Sequence, residues 1–183
     1  LQRWHDPYKD AQQLLPRPIR HAIDGGAHRG AVTRRLREAF PQAVIHAFEP
    51  QSDSFAVLQQ TFAGDPRVRP WRAALGRDNS TANLNINKAC YSSLLNSLDP
   101  AAMQATGTTE SVPVLRLDDW AASERIEPEF LKLDLQGYEL QALEGAENLL
   151  LHHIRAVLTE VNFVRRYAQS PLFHEVTGFL DKH

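Results

Sequence analysis

The sequence predicts an α/β fold of three layers, with helices on both faces of a doubly wound, mostly parallel, Rossmann-like sheet. Two observations predict it. Strand-type and helix-type hydrophobic patterns alternate along most of the 183 residues, and strands alternating with helices at this spacing run parallel with right-handed crossovers. The predicted strands also end in glycines or acids, and such sheets bind ligands outside the carboxyl ends of their strands.

The first half of the chain contains three predicted strands and two predicted helices. The first strand runs into Gly25-Gly26, and Pro41 ends the first helix, whose apolar side chains recur every three or four residues. Ser52 is placed to cap the second helix, and Gly76 closes the third strand. The predicted elements are strand 19–24, helix 29–40, strand 43–48, helix 52–62 and strand 67–75.

The stretch 77–116 interrupts this alternation. It is rich in Asn, Ser and Thr and has short alternating segments, which predict a β-hairpin or excursion and then a strand near 111–117. Its middle, about 88–108, carries the weakest pattern. The alternation then resumes with a short helix near 118–123, a strand at 130–134, a helix at 138–151, a strand at 154–161 and a last helix after Pro171.

Composition and charge exclude several classes of protein. The formal net charge is −2, whereas nucleic-acid-binding proteins usually carry a basic excess. The longest apolar run, Phe55 to Leu58, falls far short of the roughly 20 residues of a membrane helix. Cys90 is the single cysteine, which excludes an intrachain disulfide and a Cys-based zinc site and predicts a reducing, cytoplasmic location.

The turn after the first strand, Asp24 to Gly30, predicts a close approach of backbone to ligand, because glycine allows a tight turn without a side chain. The next strand ends in Glu49, 19 residues after Gly30. A carboxylate at about this distance suits the two hydroxyls of a ribose, since it accepts two hydrogen bonds. Together the turn and the acid predict a cofactor that contains a nucleoside.

The charge of Asp24 separates two cofactor classes. The turn lacks the Gly-x-Gly-x-x-Gly fingerprint, and a carboxylate directly before Gly25 would repel a pyrophosphate at the helix N-terminus. S-adenosylmethionine has no phosphate and carries an ammonium and a sulfonium, so we predict it as the cofactor. The alternative is that Asp24 only caps the helix and Gly25-Gly26 only forms a tight turn.

Five segments, in order, resemble the FkbM family of S-adenosylmethionine-dependent methyltransferases over about residues 19–180. The most specific, Lys132 to Ala146, matches Lys-x-Asp-x-x-Gly-x-Glu-x-x-x-Leu-x-Gly-Ala. The other four are Asp24-Gly25-Gly26-Ala27 with Gly30, Phe48-Glu49-Pro50, Ala74-Leu75-Gly76 and Leu117-Asp118. The predicted cofactor-binding residues are Asp24, Gly25, Gly26, Ala27, Gly30, Glu49, Pro50, Ala74 and Asp134.

The resemblance implies O-methylation of a hydroxyl on a sugar, a polyketide or a similar small molecule. It implies one methyltransferase domain over 1–183, with a cofactor-binding half at 18–76, a hairpin or lid at 77–116 and an acceptor-side half at 117–183. Because the chain ends within a predicted helix and the family continues with closing antiparallel strands, we expect a trimmed domain without its C-terminal strands. His28 departs from the family, which often has asparagine there.

Three acids are the predicted catalytic residues. Asp134 ends the fourth core strand and is expected to face the methyl group, as a base or an orienting acceptor; the alternative is a cap for the following helix. Glu139 begins that helix, where it holds the acceptor loop or favours the helix dipole. Glu160 ends the fifth strand beside Asn162, and both are expected to surround the acceptor with Asp134. No metal is predicted, although these oxygen-bearing side chains leave magnesium as an alternative.

Two further features and the class of protein stay open. His28 either covers the cofactor or acts in catalysis, and Tyr91-Ser92-Ser93 forms either a lid over the acceptor or a solvated loop. A nicotinamide-dependent oxidoreductase and a non-catalytic cofactor-binding or interaction module are the alternatives to a methyltransferase. We expect a small-molecule or carbohydrate acceptor and no nucleic-acid or membrane partner, and the sequence predicts no oligomeric state.

Overall fold

The computed structural model describes residues 6–15, 17–86, 92–98 and 108–183. Its centre is a five-stranded sheet in which all neighbouring strands run parallel. The predicted α/β fold with a mostly parallel sheet is therefore confirmed. In spatial order the strands are β3 (Val68–Trp71), β2 (Val44–Phe48), β1 (His21–Gly25), β7 (Phe130–Leu133) and β8 (Ala156–Thr159).

Helices cover both faces of this sheet, which makes three layers. Alternate side chains of a strand enter different cores: Ala22 and Phe130 pack on one face, Ile23 and Leu131 on the other. The first face carries α1 (Pro7–Leu14), α2 (Ala31–Ala39) and α3 (Ser52–Thr61). The second face carries α4 (Leu117–Glu124), α5 (Glu139–Glu144), α6 (Glu147–His152) and α7 (Phe173–Leu180).

Within the described ranges, no helix is both long enough and apolar enough to cross a lipid bilayer. The longest helix there, α3, has 10 residues, about half of what a span requires.

A second sheet has three strands and accounts for the predicted excursion. β6 (Thr108–Arg116) pairs in parallel with β4 (Ala74–Gly76) and antiparallel with β5 (Ser80–Ile86). The segment 92–98 returns to this sheet through a bridge between Ser93 and Asn85. Most of the weakly patterned middle of the excursion, including Cys90 and Tyr91, lies outside the described residues.

Three elements differ from the prediction. The strand predicted at 67–75 is two strands, because β3 joins the large sheet and β4 the small one. The helix predicted at 138–151 is α5 followed by α6, with a break at Gly145. A Cβ atom at Gly145 would lie 2.1 Å from the carbonyl oxygen of Gly76, so the chain at the break rests directly on β4. Helix α1 was not predicted.

The strand order reverses between β1 and β7, since β2 and β3 lie on one side of β1 and β7 and β8 on the other. Gly25, at the end of β1, is in register with Leu133, at the end of β7. The turn after β1 and the loop after β7 therefore meet at the sheet edge where folds of this type bind ligands.

Candidate functional site

A cavity of about 310 Å³ opens at the carboxyl ends of β1, β2 and β7. This volume lies at the lower end of the range of small-molecule and cofactor sites. The turn after β1, the segment after β2, β4 and the loop after β7 form its wall, and residues 92–94 complete it. The wall includes Gly26, Ala27, His28, Glu49, Pro50, Gln51, Ala74, Ser92, Ser93, Lys132, Asp134, Gln136 and Tyr138.

Gly26 brings the turn after β1 into direct contact with the loop after β7. Its φ is +73°, and a Cβ atom there would lie 1.9 Å from the carbonyl oxygen of Asp134. The amides of Gly26 and Ala27 donate to the carbonyl of Phe48 at 3.0 and 2.9 Å, which ties the turn to β2 as well. A side chain at position 26 would therefore push apart two loops that form the cavity.

A buried ion pair stands behind this turn. Lys132 Nζ lies 2.9 Å from Asp24 Oδ1, and the Thr33 hydroxyl donates to Asp24 Oδ2 at 2.7 Å. The same ammonium donates to the carbonyl oxygens of Gly25 and Gly26. Burial by itself would lower the pKa of Lys132, but the negative charges of Asp24 and Asp134 and the hydrogen bond to Asp24 together outweigh it, so the pKa is raised. Asp24 is fully buried and does not line the cavity. It holds the turn to β7, whereas we had expected it to bind the cofactor.

Glu49 lies directly after β2 and is 6% exposed. Each of its carboxylate oxygens accepts one backbone N–H, Oε1 from Gln51 at 2.9 Å and Oε2 from His28 at 2.8 Å. Burial raises the pKa of Glu49, and these two hydrogen bonds oppose the rise. An ionised carboxylate has about four lone-pair positions, so both oxygens keep acceptor capacity toward the cavity.

Three carboxyl groups meet at the end of β7. Asp134, Glu139 and Glu160 each have an oxygen within 4.8 Å of the others. Burial, the charges of Asp134 and Glu139 and a hydrogen bond with Asp134 raise the pKa of Glu160 to about 7. Glu160 therefore keeps its proton up to about neutral pH and shares it with Asp134. Of these three side chains only Asp134 lines the cavity.

Glu139 fixes the loop between β7 and α5. It is 1% exposed, and its Oε1 accepts the amides of Leu135 at 2.7 Å and Gly137 at 3.3 Å. Burial raises the pKa of Glu139, and the backbone hydrogen bonds oppose the rise. The geometry favours the first of the two roles that the sequence left open, that of holding this loop.

The carboxylate cluster was also the alternative magnesium site. Asp134 Oδ1 already accepts the amide of Gln136 at 2.8 Å, and Glu139 Oε1 is taken by two backbone amides. Asn162 does not line the cavity, and its backbone carbonyl accepts the amide of Phe173. One carboxylate oxygen from each of Asp134, Glu139 and Glu160 lies close enough to the others to hold an ion, so the magnesium alternative stays open beside a proton-sharing group.

The structure places most of the predicted cofactor-binding residues in the cavity wall. They are Gly26, Ala27, Glu49, Pro50, Ala74 and Asp134. Asp24 and Gly25 lie behind the wall. Gly30 is the N-cap of α2 with a φ of +91°. Among the predicted catalytic residues, Glu139 and Glu160 each have an oxygen within 4.8 Å of Asp134 but do not line the wall.

The residues with two open interpretations also lie at the cavity. His28 lines it, and burial lowers the pKa of His28, so its imidazole is neutral at pH 7. Ser92 and Ser93 line it too, and Ser92 Oγ donates to Gln51 Oε1 at 3.1 Å. This placement favours a covering segment over a solvated loop for 92–93, whereas Tyr91 lies outside the described residues.

Sequence reasoning missed the roles of Lys132 and Gln136. A lysine in the fully buried run Phe130–Leu133 requires an opposite charge on a neighbouring strand, and Asp24 is its register partner on β1. That signal is present in the sequence. Gln136 carries no comparable signal, because its partners come together only through loop folding.

A parallel sheet with this switch point, a glycine turn after β1, an acid after β2 and another after β7 are the features of a Rossmann-like methyltransferase. The sequence matches the FkbM methyltransferase domain over residues 24–183, and the chain belongs to this family. The family confirms the resemblance seen in the motifs and favours a methyltransferase over a nicotinamide-dependent oxidoreductase. No curated protein sequence matches the chain.

Proposed function

We propose that this methyltransferase uses S-adenosylmethionine and methylates a hydroxyl oxygen of a small molecule. The observation that carries the proposal is the placement of Glu49, whose two oxygens are each held by one backbone amide at the cavity wall. A carboxylate fixed in this way presents two acceptors to the two adjacent hydroxyls of a ribose.

The residues around the cavity fit this cofactor in shape and in charge. Gly26 leaves space where a side chain would collide with the neighbouring loop. Glu49 and Asp134 line the wall, and Lys132, the one lysine among its described residues, is neutralised by its buried partner. This surplus of negative charge suits the ammonium and sulfonium of S-adenosylmethionine and would repel the pyrophosphate of a dinucleotide.

Asp134 is the proposed base. When bound, S-adenosylmethionine would supply a methyl group on a positively charged sulfur. The acceptor oxygen would bond to the methyl carbon as the carbon–sulfur bond breaks, which leaves S-adenosylhomocysteine. The Asp134 carboxylate accepts the proton of the acceptor hydroxyl. Glu160 shares this proton through its hydrogen bond with Asp134, and the pair later returns it to solvent.

We propose a hydroxyl of a sugar, a polyketide or a similar small molecule as the acceptor. Support comes from the family resemblance and from the cavity wall, which includes Ser92, Ser93, Leu94 and Tyr138. Hydroxyl groups beside apolar surface suit a small molecule that has both a carbon framework and hydroxyls.

Transfer of a labelled methyl group from S-adenosylmethionine to a panel of monosaccharides and polyketide alcohols tests the reaction. We expect a labelled product from at least one class of acceptor. Asp134→Asn should slow transfer by about 10²–10⁴-fold and leave the Kd of S-adenosylhomocysteine within about twofold of the wild-type value. Unaltered turnover in this variant would rule out Asp134 as the base.

Thermal shift separates the cofactor classes without any acceptor. S-adenosylhomocysteine should raise the Tm of the wild-type chain in a concentration-dependent way, and NADH should not. Stabilisation by NADH alone would overturn the proposal. Binding of S-adenosylhomocysteine with no transfer to any acceptor in the panel would favour a non-catalytic module.

A further inference from the structure

Gln136 has an uncommon backbone conformation at the edge of the cavity. Its φ is +53°, in the left-handed region that residues other than glycine rarely adopt. Such a conformation is retained only where the surrounding contacts impose it. Here the Ser93 hydroxyl donates to the Gln136 carbonyl at 2.7 Å, which anchors the residue to the segment that completes the cavity wall.

The side-chain amide of Gln136 connects two residues of the site. Its Nε2 donates to Asp134 Oδ1 at 2.8 Å, and its Oε1 accepts the hydroxyl of Tyr167 at 2.8 Å. A carboxylate can only accept and the phenol donates here, so the two bonds together permit a single orientation of the amide. A donor held in this way fixes the orientation of the Asp134 carboxylate.

Tyr167 is itself held between two loops. It is 5% exposed, and its backbone forms a bridge with Ser97. The pairing continues on both sides, with the amide of Leu98 donating to Arg166 and the amide of Ala168 donating to Asn96. Burial raises the pKa of Tyr167 to about 12, so its hydroxyl keeps the proton that it donates.

We infer that Gln136 is the positioning residue of the proposed methyl transfer: Tyr167 orients its amide, and the amide fixes the carboxylate of Asp134 at the cavity wall. This inference rests on the proposed function, in which Asp134 is the base. One hydrogen-bonded chain thereby connects the base to the segment 92–98, whose first residues complete the cavity wall. No other residue among those described has a side-chain amide that bonds Asp134.

Charged groups from three neighbouring elements also face Asp134, so a test must separate their effects from that of Gln136. They are Lys132 on β7, Glu139 on α5 and Glu160 after β8, and Arg166 acts on Glu160 in turn. Replacing only the amide leaves all four charges in place.

Carboxyl ¹³C NMR of the full chain measures this role without an acceptor. Gln136→Leu removes both hydrogen bonds, and we expect it to move the carboxyl resonance of Asp134 at a fixed pH, because the carboxylate loses a donor. Tyr167→Phe leaves the amide present but frees its orientation, so we expect a smaller movement of that resonance in the same direction. Both variants should bind S-adenosylhomocysteine within about twofold of wild type. Gln60→Leu, the same exchange at an exposed position of α3, is the control and should change neither value.

An Asp134 carboxyl resonance that stays at its wild-type position in folded Gln136→Leu would overturn the inference. The wild-type chain supplies a second measurement, which does not depend on any variant folding. One side-chain amide proton of Gln136 should resonate downfield and exchange slowly with solvent, as expected of a donor bonded to a carboxylate, and two freely exchanging amide protons would also overturn the inference. Calorimetry with S-adenosylhomocysteine is read separately: no binding to the wild-type chain defeats the proposed function, whereas the NMR measurements still decide what Gln136 does.

Discussion

The acidic side chains at the ends of the parallel strands act differently because their partners differ. Asp24 is fully buried against Lys132 and stabilises the turn. Glu49 is held by two backbone amides and still faces the cavity. Asp134 faces it as well, and Glu160 behind it keeps a proton up to about pH 7. The expected effect of a substitution therefore follows from these contacts and not from the residue type.

Glu49→Ala should weaken binding of S-adenosylhomocysteine, because the ribose loses a charged acceptor for both hydroxyls. Hydrogen bonds to a charged group contribute about 1.5–3 kcal/mol, which corresponds to roughly a 10- to 100-fold rise in Kd. Isothermal calorimetry measures it, and Glu38→Ala on the exposed face of α2 is the control. A Kd equal to that of the wild-type chain would mean that Glu49 does not hold the cofactor.

Methyl transfer should rise with pH around neutrality. Below about pH 7 the raised pKa of Glu160 leaves the pair with Asp134 already holding a proton, so it accepts another poorly. Above that pH both carboxyls are ionised and the pair takes the acceptor's proton. With one ionisation near pH 7, the rate should increase about tenfold between pH 6 and pH 8.

Glu160→Gln removes this ionisation and should flatten the profile between pH 6 and pH 8. The rates are measured with whichever hydroxyl acceptor the panel identifies. If the variant keeps the wild-type pH dependence, the titrating group is not Glu160.

Several of the segments that carry the family motifs contact one another or a neighbouring helix in the fold. Asp118, of the Leu-Asp segment, accepts the amides of Asn148 and Leu149 at the start of α6, at 3.1 and 3.0 Å. Gly145, of the most specific block, rests on Gly76, of the Ala-Leu-Gly segment. Much of the motif pattern therefore holds loops and helix ends in place beside the cavity instead of contacting a ligand.

Gly26→Ala tests the contact between the two cavity loops. The added methyl group would fall on the carbonyl of Asp134 at a positive φ, so we expect a loss of at least about 2 kcal/mol in the free energy of unfolding. Binding of S-adenosylhomocysteine should weaken in parallel.

Gly64→Ala is the matched control for Gly26→Ala, because a Cβ atom at Gly64 meets nothing within 4 Å. Urea unfolding of both variants measures the difference. If the two variants are equally stable, the loops do not meet at Gly26 as described.

Most core strands were predictable, because a buried parallel strand is a short apolar run that ends in a turn residue or an acid. This pattern lies within a few consecutive residues of the sequence. Helix α1 was not, since Tyr8 is its one buried residue and no apolar repeat marks it. The break at Gly145 depends on a contact with β4 that no local pattern reveals. The same limit applies at the site, where Glu49 and Asp134 were predicted but the bond between Gln136 and Tyr167 joins two loops.

Across the whole molecule, one buried histidine couples the core to pH. His46 is fully buried in the core between Trp71 and Trp120, and its Nε2 lies 3.1 Å from His21 Nδ1. The described residues offer no partner to its Nδ1. Burial, with the positive charges of His21 and Arg69, lowers the pKa of His46 from 6.5 to about 3.

The contribution of His46 to stability should therefore fall as the pH drops below about 6.5. Between this pH and about pH 3 the unfolded chain binds a proton at His46 that the folded chain does not. The free energy of unfolding loses about 1.4 kcal/mol per pH unit in this window from His46 alone. The raised carboxyl pKa values, such as that of Glu160, contribute with the opposite sign, because the folded chain there binds the extra proton.

Urea unfolding at pH 7, 6 and 5 of the wild-type chain and of His46→Leu isolates the histidine. The stability difference between the two proteins should shift in favour of the variant as the pH falls. A difference that is the same at all three pH values would show that His46 is not held neutral in the core.

We expect the cavity between Gly26, Glu49 and Asp134 to bind S-adenosylmethionine for methyl transfer. A crystal structure of the chain with S-adenosylhomocysteine measures where the ligand lies. We predict that both ribose hydroxyls lie within hydrogen-bond distance of the Glu49 carboxylate and that the sulfur faces Asp134. A ligand bound elsewhere, or one in this cavity with its ribose turned away from Glu49, would show that these residues do not form the cofactor site.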